Sequence, residues 1–205
     1  MTPGIKHLAK ALKEKSNRVS LREVNENNLR FGVDISIILV KALSTGDASE
    51  EFWQLPMVPV MSIIPHLDKL KNTLDGADMP FIAVFDGCRH PMKSKTTEKR
   101  NTEFTRKRDR LDQLIAAGDP QSYSEIQRLR RGTTYIREDV IALARDWCGD
   151  NDIPFVCAPF EADWQLALMC SQGILQGVIS DDSDMVVLGC PKVIMDIDFS
   201  DKTCI

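Results

Sequence analysis

Four short apolar runs in this chain each end on, or lead directly into, carboxylates. "LRFGVDIS" carries Asp34, and "PFIAVFDG" carries Asp86. "IPFVCAPF" leads into Glu161 and Asp163, and "GVISDD" into Asp182 and Asp184. A fifth run, "KVIMDID", follows. Between the runs lie helical patterns. "MSIIPHLDKLKNTLDGA" has apolar residues at helical spacing, with Pro65 tolerable in a first turn. "REDVIALARDWCGDN" has acids in its first turn and Gly149 at its end, and "EADWQLALMCSQG" closes on Gly173. Strands rich in Val, Ile and Phe that alternate with helices predict an α/β fold built on a parallel sheet, with helices on both faces.

The strand ends of an open parallel sheet share one edge, and such folds place ligands there. Six carboxylates from four distant segments are therefore expected on one rim. Carboxylate oxygens suit hard cations such as Mg²⁺ or Mn²⁺. Two ions about 3.5–4 Å apart would neutralise the cluster and clamp a phosphodiester for in-line hydrolysis. Each acid also has an ordinary reading. Glu161 and Asp163 suit a helix N-terminus, Asp86 before Gly87 suits a turn, and residues 181–184 suit a solvated loop. What favours the metal reading is that all four groups fall at successive strand ends.

The stretch "GVISDDSDMVVLG", residues 177–189, reads as a buried strand interrupted by Asp181, Asp182 and Asp184. An unpaired buried carboxylate costs several kcal/mol or takes up a proton, so something must compensate these three.

Composition excludes several classes. The chain is 43% hydrophobic and 27% charged, which is ordinary for a globular protein. No apolar stretch is long enough for a membrane span. The N-terminal "MTPGIKHLAKALKEKS" reads as a short amphipathic helix without the apolar core of a secretory signal, so an intracellular protein is expected. Six cysteines form no CxxC pair, and three of them (Cys157, Cys170 and Cys190) lie in apolar runs, which predicts buried, reduced thiols. With three scattered histidines they argue against a zinc site. The net charge of −4 argues against a generally basic nucleic-acid binder, but says nothing of local patches.

One such patch exists. Residues 91–131 are polar and read as two helices joined near "AGDPQS", a surface excursion. Between Arg89 and Arg110 there are nine Lys or Arg against three acids. Lys93, Arg100 and Lys107 recur every seventh residue, so on a helix they share a face, about 10 Å apart along the axis. Such a row can track a phosphate backbone, or it can be a solvated helix face. It follows Asp86 directly, so the helix springs from the acidic rim.

In order and spacing, "FGVDIS", "FDGCRHPMKSKTTEKR", "APFEADWQLAL" and "ISDDSDMVVLGCPKVIMDID" resemble the blocks of the 5′-nuclease superfamily of flap endonuclease, xeroderma G nuclease and exonuclease 1. The wording is most similar to the exonuclease 1 branch. The resemblance covers residues 4–198. It implies one PIN-like catalytic domain over residues 1–205, with an N-terminal block near 1–110, a helical arch near 91–131 and an internal block near 135–200. It implies a Mg²⁺- or Mn²⁺-dependent nuclease with two ions, acting on DNA with 5′ ends, flaps or junctions in repair or replication. Asp34, Asp86, Glu161, Asp163, Asp182 and Asp184 match the family's metal ligands, and Asp181 a more peripheral acid. Lys93 and Arg100 match the basic pair at the scissile phosphate. Lys95, Lys99, Arg106 and Lys107 extend that row as DNA contacts. A nuclear location is expected if the source is eukaryotic and an intracellular one otherwise, with a sliding clamp or repair factor bound through parts outside these residues.

Departures from the family pattern set further expectations. The family's helix–turn–helix element and seventh metal-site aspartate do not fall within residues 1–205, so the chain reads as C-terminally truncated. Thr2 and Pro3 precede Gly4 and Ile5 where relatives begin Met-Gly-Ile. Val40 stands where relatives carry an aromatic or His that contacts the terminal base. The alternatives are a PIN-like ribonuclease and a non-catalytic DNA-binding remnant.

Overall fold

Five strands pair in parallel at the centre of the computed structural model, which describes residues 8–25, 29–45, 60–88, 94–118, 122–133 and 136–205. In chain order the elements begin with α1 (Leu8–Lys15), β1 (Val19–Ser20) and α2 (Leu21–Val24). Then come β2 (Phe31–Asp34), α3 (Ile35–Thr45), a 3₁₀ turn (Val60–Ile63) and α4 (Ile64–Asp75). β3 (Phe81–Phe85), α5 (Ser94–Ala117), α6 (Tyr123–Gly132) and α7 (Glu138–Asp150) follow. The chain continues through β4 (Phe155–Cys157), α8 (Ala162–Ser171), β5 (Gly177–Ile179) and α9 (Asp184–Val187) to β6 (Val193–Ile194) and β7 (Thr203–Cys204).

The sheet order is β4-β3-β2-β5-β6. Phe31 stands opposite Phe81 on one side and Gly177 on the other. Alternate residues along each strand face opposite layers. Phe31, Val33, Phe81, Ala83, Phe85 and Ile179 join the core under α3, α4 and α7. Ile82, Val84 and Val178 join a second core under α8, with Ala162, Leu166 and Met169. Burial on both faces explains why these strands read as continuous apolar runs.

The predicted strands and helices are present, with four differences. Residues 185–188 are not strand. Asp184–Val187 is a short helix, and Val186 and Val187 are exposed. The Asp184 N–H donates to Asp182 Oδ1 at 2.9 Å and the Cys190 N–H to the Met185 carbonyl at 3.1 Å, which bends the chain out of the sheet. Gly149 lies inside the last turn of α7 rather than at its end. Cys157 is exposed because β4 pairs only with β3, at the sheet edge. β1 and β7 form a two-stranded antiparallel ribbon with no sequence signal.

The cysteines are free thiols, and burial pushes Cys148 up to about 11 and Cys170 up to about 12. Among the described residues no helix is long and apolar enough to cross a membrane.

Candidate active site

Asp34 is the last residue of β2, and Asp86 directly follows β3. These strands are neighbours, so their ends emerge side by side. Ser36, in the first turn of α3, links them. Its N–H donates to Asp34 Oδ1 at 3.0 Å, and its hydroxyl donates to Asp86 Oδ2 at 2.8 Å. The other Asp86 oxygen accepts the Ala162 N–H at 2.8 Å, which draws the start of α8 to the same place. Glu161 is the N-cap residue of that helix, and Asp163 lies in its first turn. Gly87 holds the β3 and β4 ends together by donating its N–H to the Phe160 carbonyl at 2.5 Å.

The electrostatics follow from this packing. Asp34 is only 7% exposed. Burial holds its carboxyl well above the usual carboxylate range, and the charges of Asp86 and Asp163 push it the same way. The backbone N–H groups of Ser36 and Ile37 pull it back in part. Carboxylates from three segments, the β2 end, the β3 end and the first turn of α8, thus lie near enough for Asp86 and Asp163 to act on Asp34.

Asp182 is 2% exposed. It follows β5, the other neighbour of β2, and its Oδ1 caps Asp184, the first residue of α9. Between them the Ser183 hydroxyl is buried with no hydrogen-bond partner among the described residues. Asp34, Ser180 and Asp181 line one cavity, so the β5 turn adjoins the β2 end.

Among the described residues no group of three His, Cys, Asp or Glu side chains is drawn close enough to hold an ion. The donor set nevertheless fits a hard divalent cation. It is all carboxylate, it includes a buried Asp34 facing two like charges, and an unsatisfied buried hydroxyl sits beside it. Each of these features is relieved by a hydrated positive ion.

The basic row is partly in view. Lys93 lies outside the described residues. Lys95, Lys99 and Arg100 fall in α5, with side chains outside the described parts. Arg106 is exposed, and Lys107 is half-buried with Nζ 3.8 Å from Glu103 Oε1. α5 packs along α6 through its own small core of Leu111, Leu114, Ile126 and Leu129. Arg110 Nε reaches Glu125 Oε1 at 3.3 Å across the pair. The two helices expected in this stretch are thus present and pack on a small core of their own.

Sequence reasoning missed Ser36, whose only signal is the Asp-x-Ser spacing that favours an Asx turn. It also missed Lys41, whose Nζ lies 2.5 Å from Asp181 Oδ2.

The XPG I-region family model matches residues 152–204. Exodeoxyribonuclease 1 of Saccharomyces cerevisiae is 33% identical over 112 residues, 54% of this chain and 15% of that protein. Exonuclease 1 of Xenopus laevis is 27% identical over 95% of this chain and 25% of that protein. Flap endonuclease 1 of Methanocella arvoryzae is 31% identical over 59% of this chain and 34% of that protein. The chain spans about a third or less of these relatives' lengths. The catalytic core of Rad2 in complex with DNA substrate superposes with a TM-score of 0.70 at 19% identity, over 98% of this chain and 53% of that one. The Holliday junction-resolving enzyme GEN1, in complex with product DNA and Mg²⁺, superposes with a TM-score of 0.61 at 18% identity, over 98% of this chain and 39% of that one. These structures share the fold. The I-region match and the sequence relatives add a similarity in sequence to exonuclease 1 and flap endonuclease 1 proteins.

Proposed function

We propose that this chain is the catalytic domain of a divalent-metal-dependent, structure-specific 5′-nuclease that hydrolyses DNA phosphodiesters at 5′ ends, flaps or junctions. The observation that carries the reading is the hydrogen-bonded junction at one sheet edge, where Ser36 joins Asp34 to Asp86 and Asp86 joins the start of α8, with the basic helix α5 beginning just beyond Asp86. Two Mg²⁺ or Mn²⁺ ions, held by Asp34, Asp86 and Asp163 with Glu161, Asp182 and Asp184, would supply the charge that clamps a phosphodiester for attack by water.

The protein's own part is placement. Ser36 and the Ala162 N–H fix both oxygens of Asp86. Burial first, then the charges of Asp86 and Asp163, oppose ionisation of Asp34, so an arriving cation would favour its carboxylate form. Lys93 and Arg100 meet the scissile phosphate and stabilise the charge that develops on it. Lys95, Lys99, Arg106 and Lys107 follow the backbone and carry no sequence information. Such a nuclease works where the DNA is, in the nucleus of a eukaryotic cell.

The test is cleavage of labelled 5′-flap DNA, recessed-end duplex and matched RNA, with Mg²⁺ or Mn²⁺ and with chelator. Cleavage of DNA that needs metal and is lost in Asp182→Ala is the expected result. No cleavage of any DNA overturns the nuclease reading. Cleavage of RNA in preference to DNA makes the chain a PIN-like ribonuclease. Calorimetric Mn²⁺ binding without turnover makes it a binding module.

A further inference from the structure

Asp181 is the first of three aspartates in four residues, yet it is drawn away from the other two. Its Oδ2 lies 2.5 Å from Lys41 Nζ on α3, and its Oδ1 accepts the Asp196 N–H at 2.7 Å, just beyond β6. Asp196 has a left-handed backbone at φ 51°. It is secured in turn by Arg18, whose Nη2 lies 2.8 Å from Asp196 Oδ2 and whose Nη1 donates to the Asp196 carbonyl at 3.2 Å. One carboxylate thus joins three segments: α3, the β5 turn and the end of β6. Lys41 also sits on the helix that starts right after Asp34.

We infer that the Lys41–Asp181 ion pair is a positioning device that fixes the turn carrying Asp182 and Asp184 against the helix that follows Asp34. Asp182 is the next residue, so anchoring Asp181 at both oxygens sets the direction in which Asp182 leaves the strand. The pair also separates one negative charge from a turn that holds two more. The Asp181 side chain is 16% exposed and that of Lys41 is 42% exposed, so the pair is shielded more than a surface ion pair and Lys41 tolerates replacement. Partners that orient ligand residues typically change metal affinity by about 10–100-fold when removed.

The inference rests on the proposed metal rim, and the sign of one effect tests it. Lys41→Met removes a positive charge near that rim. By charge alone, a cation should then bind more tightly. If the pair positions the turn, Mn²⁺ binds about tenfold more weakly, and Lys41→Arg restores it. Mn²⁺ affinity is read from the paramagnetic resonance signal of the free ion in titrations of the full chain. Amide hydrogen exchange of residues 180–186 is followed in the metal-free protein. Faster exchange there is expected in Lys41→Met and in Asp181→Asn, which keeps an acceptor for Asp196 but loses the ion pair. Unchanged exchange in both variants overturns the inference whether or not metal binds. So does Mn²⁺ binding in Lys41→Met as tight as in the parent. Absence of Mn²⁺ binding in the parent, with faster exchange in the variants, overturns the metal reading of the site and leaves the positioning role standing.

Discussion

Ser36 holds two strand ends together through Asp86: its hydroxyl donates to Asp86 Oδ2 at 2.8 Å while its N–H serves Asp34. One small side chain sets the spacing of two carboxylates that repel each other. Ser36→Ala deletes the hydroxyl and leaves the amide. The missing hydrogen bond costs about 1 kcal/mol at most, since Asp86 reaches water. Mn²⁺ affinity should fall by about tenfold, because Asp86 then loses one of the two hydrogen bonds that hold it among the described residues. Thermal melts and Mn²⁺ titration of the same preparation check both numbers. A stability loss without an affinity loss would make Ser36 a plain structural contact.

Asp34→Asn separates the fold's needs from the site's. The amide keeps an oxygen for the Ser36 N–H but carries no charge. In the parent, burial first, then Asp86 and Asp163, raise the folded proton affinity of Asp34 above its unfolded value of 3.8. The stability linked to the bound proton is fully present below that unfolded value and is lost as pH rises through the higher folded one. The metal-free parent should therefore lose stability relative to Asp34→Asn as pH rises above the unfolded value. Added Mg²⁺ should raise the melting temperature of the parent and not of the variant. Melts across a pH series, with and without Mg²⁺, read the crossover.

Much of this arrangement was legible in the sequence because each link was local. A run such as "FIAVF" reports burial on both faces, and the acid after it reports a strand end. What failed was also local. Residues 185–188 are apolar enough to pass for strand, and only the Asp182–Asp184 cap and the closing bond from Cys190 bend them into a helix. Cys157 sits in an apolar run but on an edge strand, and an edge is a property of sheet order, which periodicity does not carry. Ser36, Lys41 and the β1–β7 ribbon act across 50 residues or more, as in Ser36 to Asp86. Such pairings have no pattern in one sequence.

Gly87 tests how closely the strand ends must approach. A Cβ there would stand 1.8 Å from the Ala158 carbonyl oxygen and 2.9 Å from backbone carbons. Backbone cannot rotate away, so Gly87→Ala should push the segment bearing Asp86 off the one bearing Glu161. A destabilisation of about 1–3 kcal/mol is expected, with loss of metal-dependent cleavage. Gly149→Ala is the control. It lies in the last turn of α7 with nothing within 4 Å of the added Cβ, so stability should stay level or rise by up to about 1 kcal/mol. Denaturant unfolding of the two variants beside the parent gives the contrast.

The basic row should divide by distance from the rim. Lys93 and Arg100 stand nearer to Asp86 along the chain than Arg106 and Lys107 do. If the first pair meets the reacting phosphate, its hold strengthens as charge develops there. Lys93→Ala with Arg100→Ala should then lower kcat far more than it raises Kd for a 5′-flap duplex. Arg106→Ala with Lys107→Ala should weaken binding with little change in kcat. It should also lessen the slope of log Kd against log salt by about one for each phosphate that is no longer neutralised. Single-turnover kinetics and fluorescence anisotropy over a salt series separate the two. Equal falls in kcat and affinity for the first pair would reduce Lys93 and Arg100 to phosphate tethers like the second.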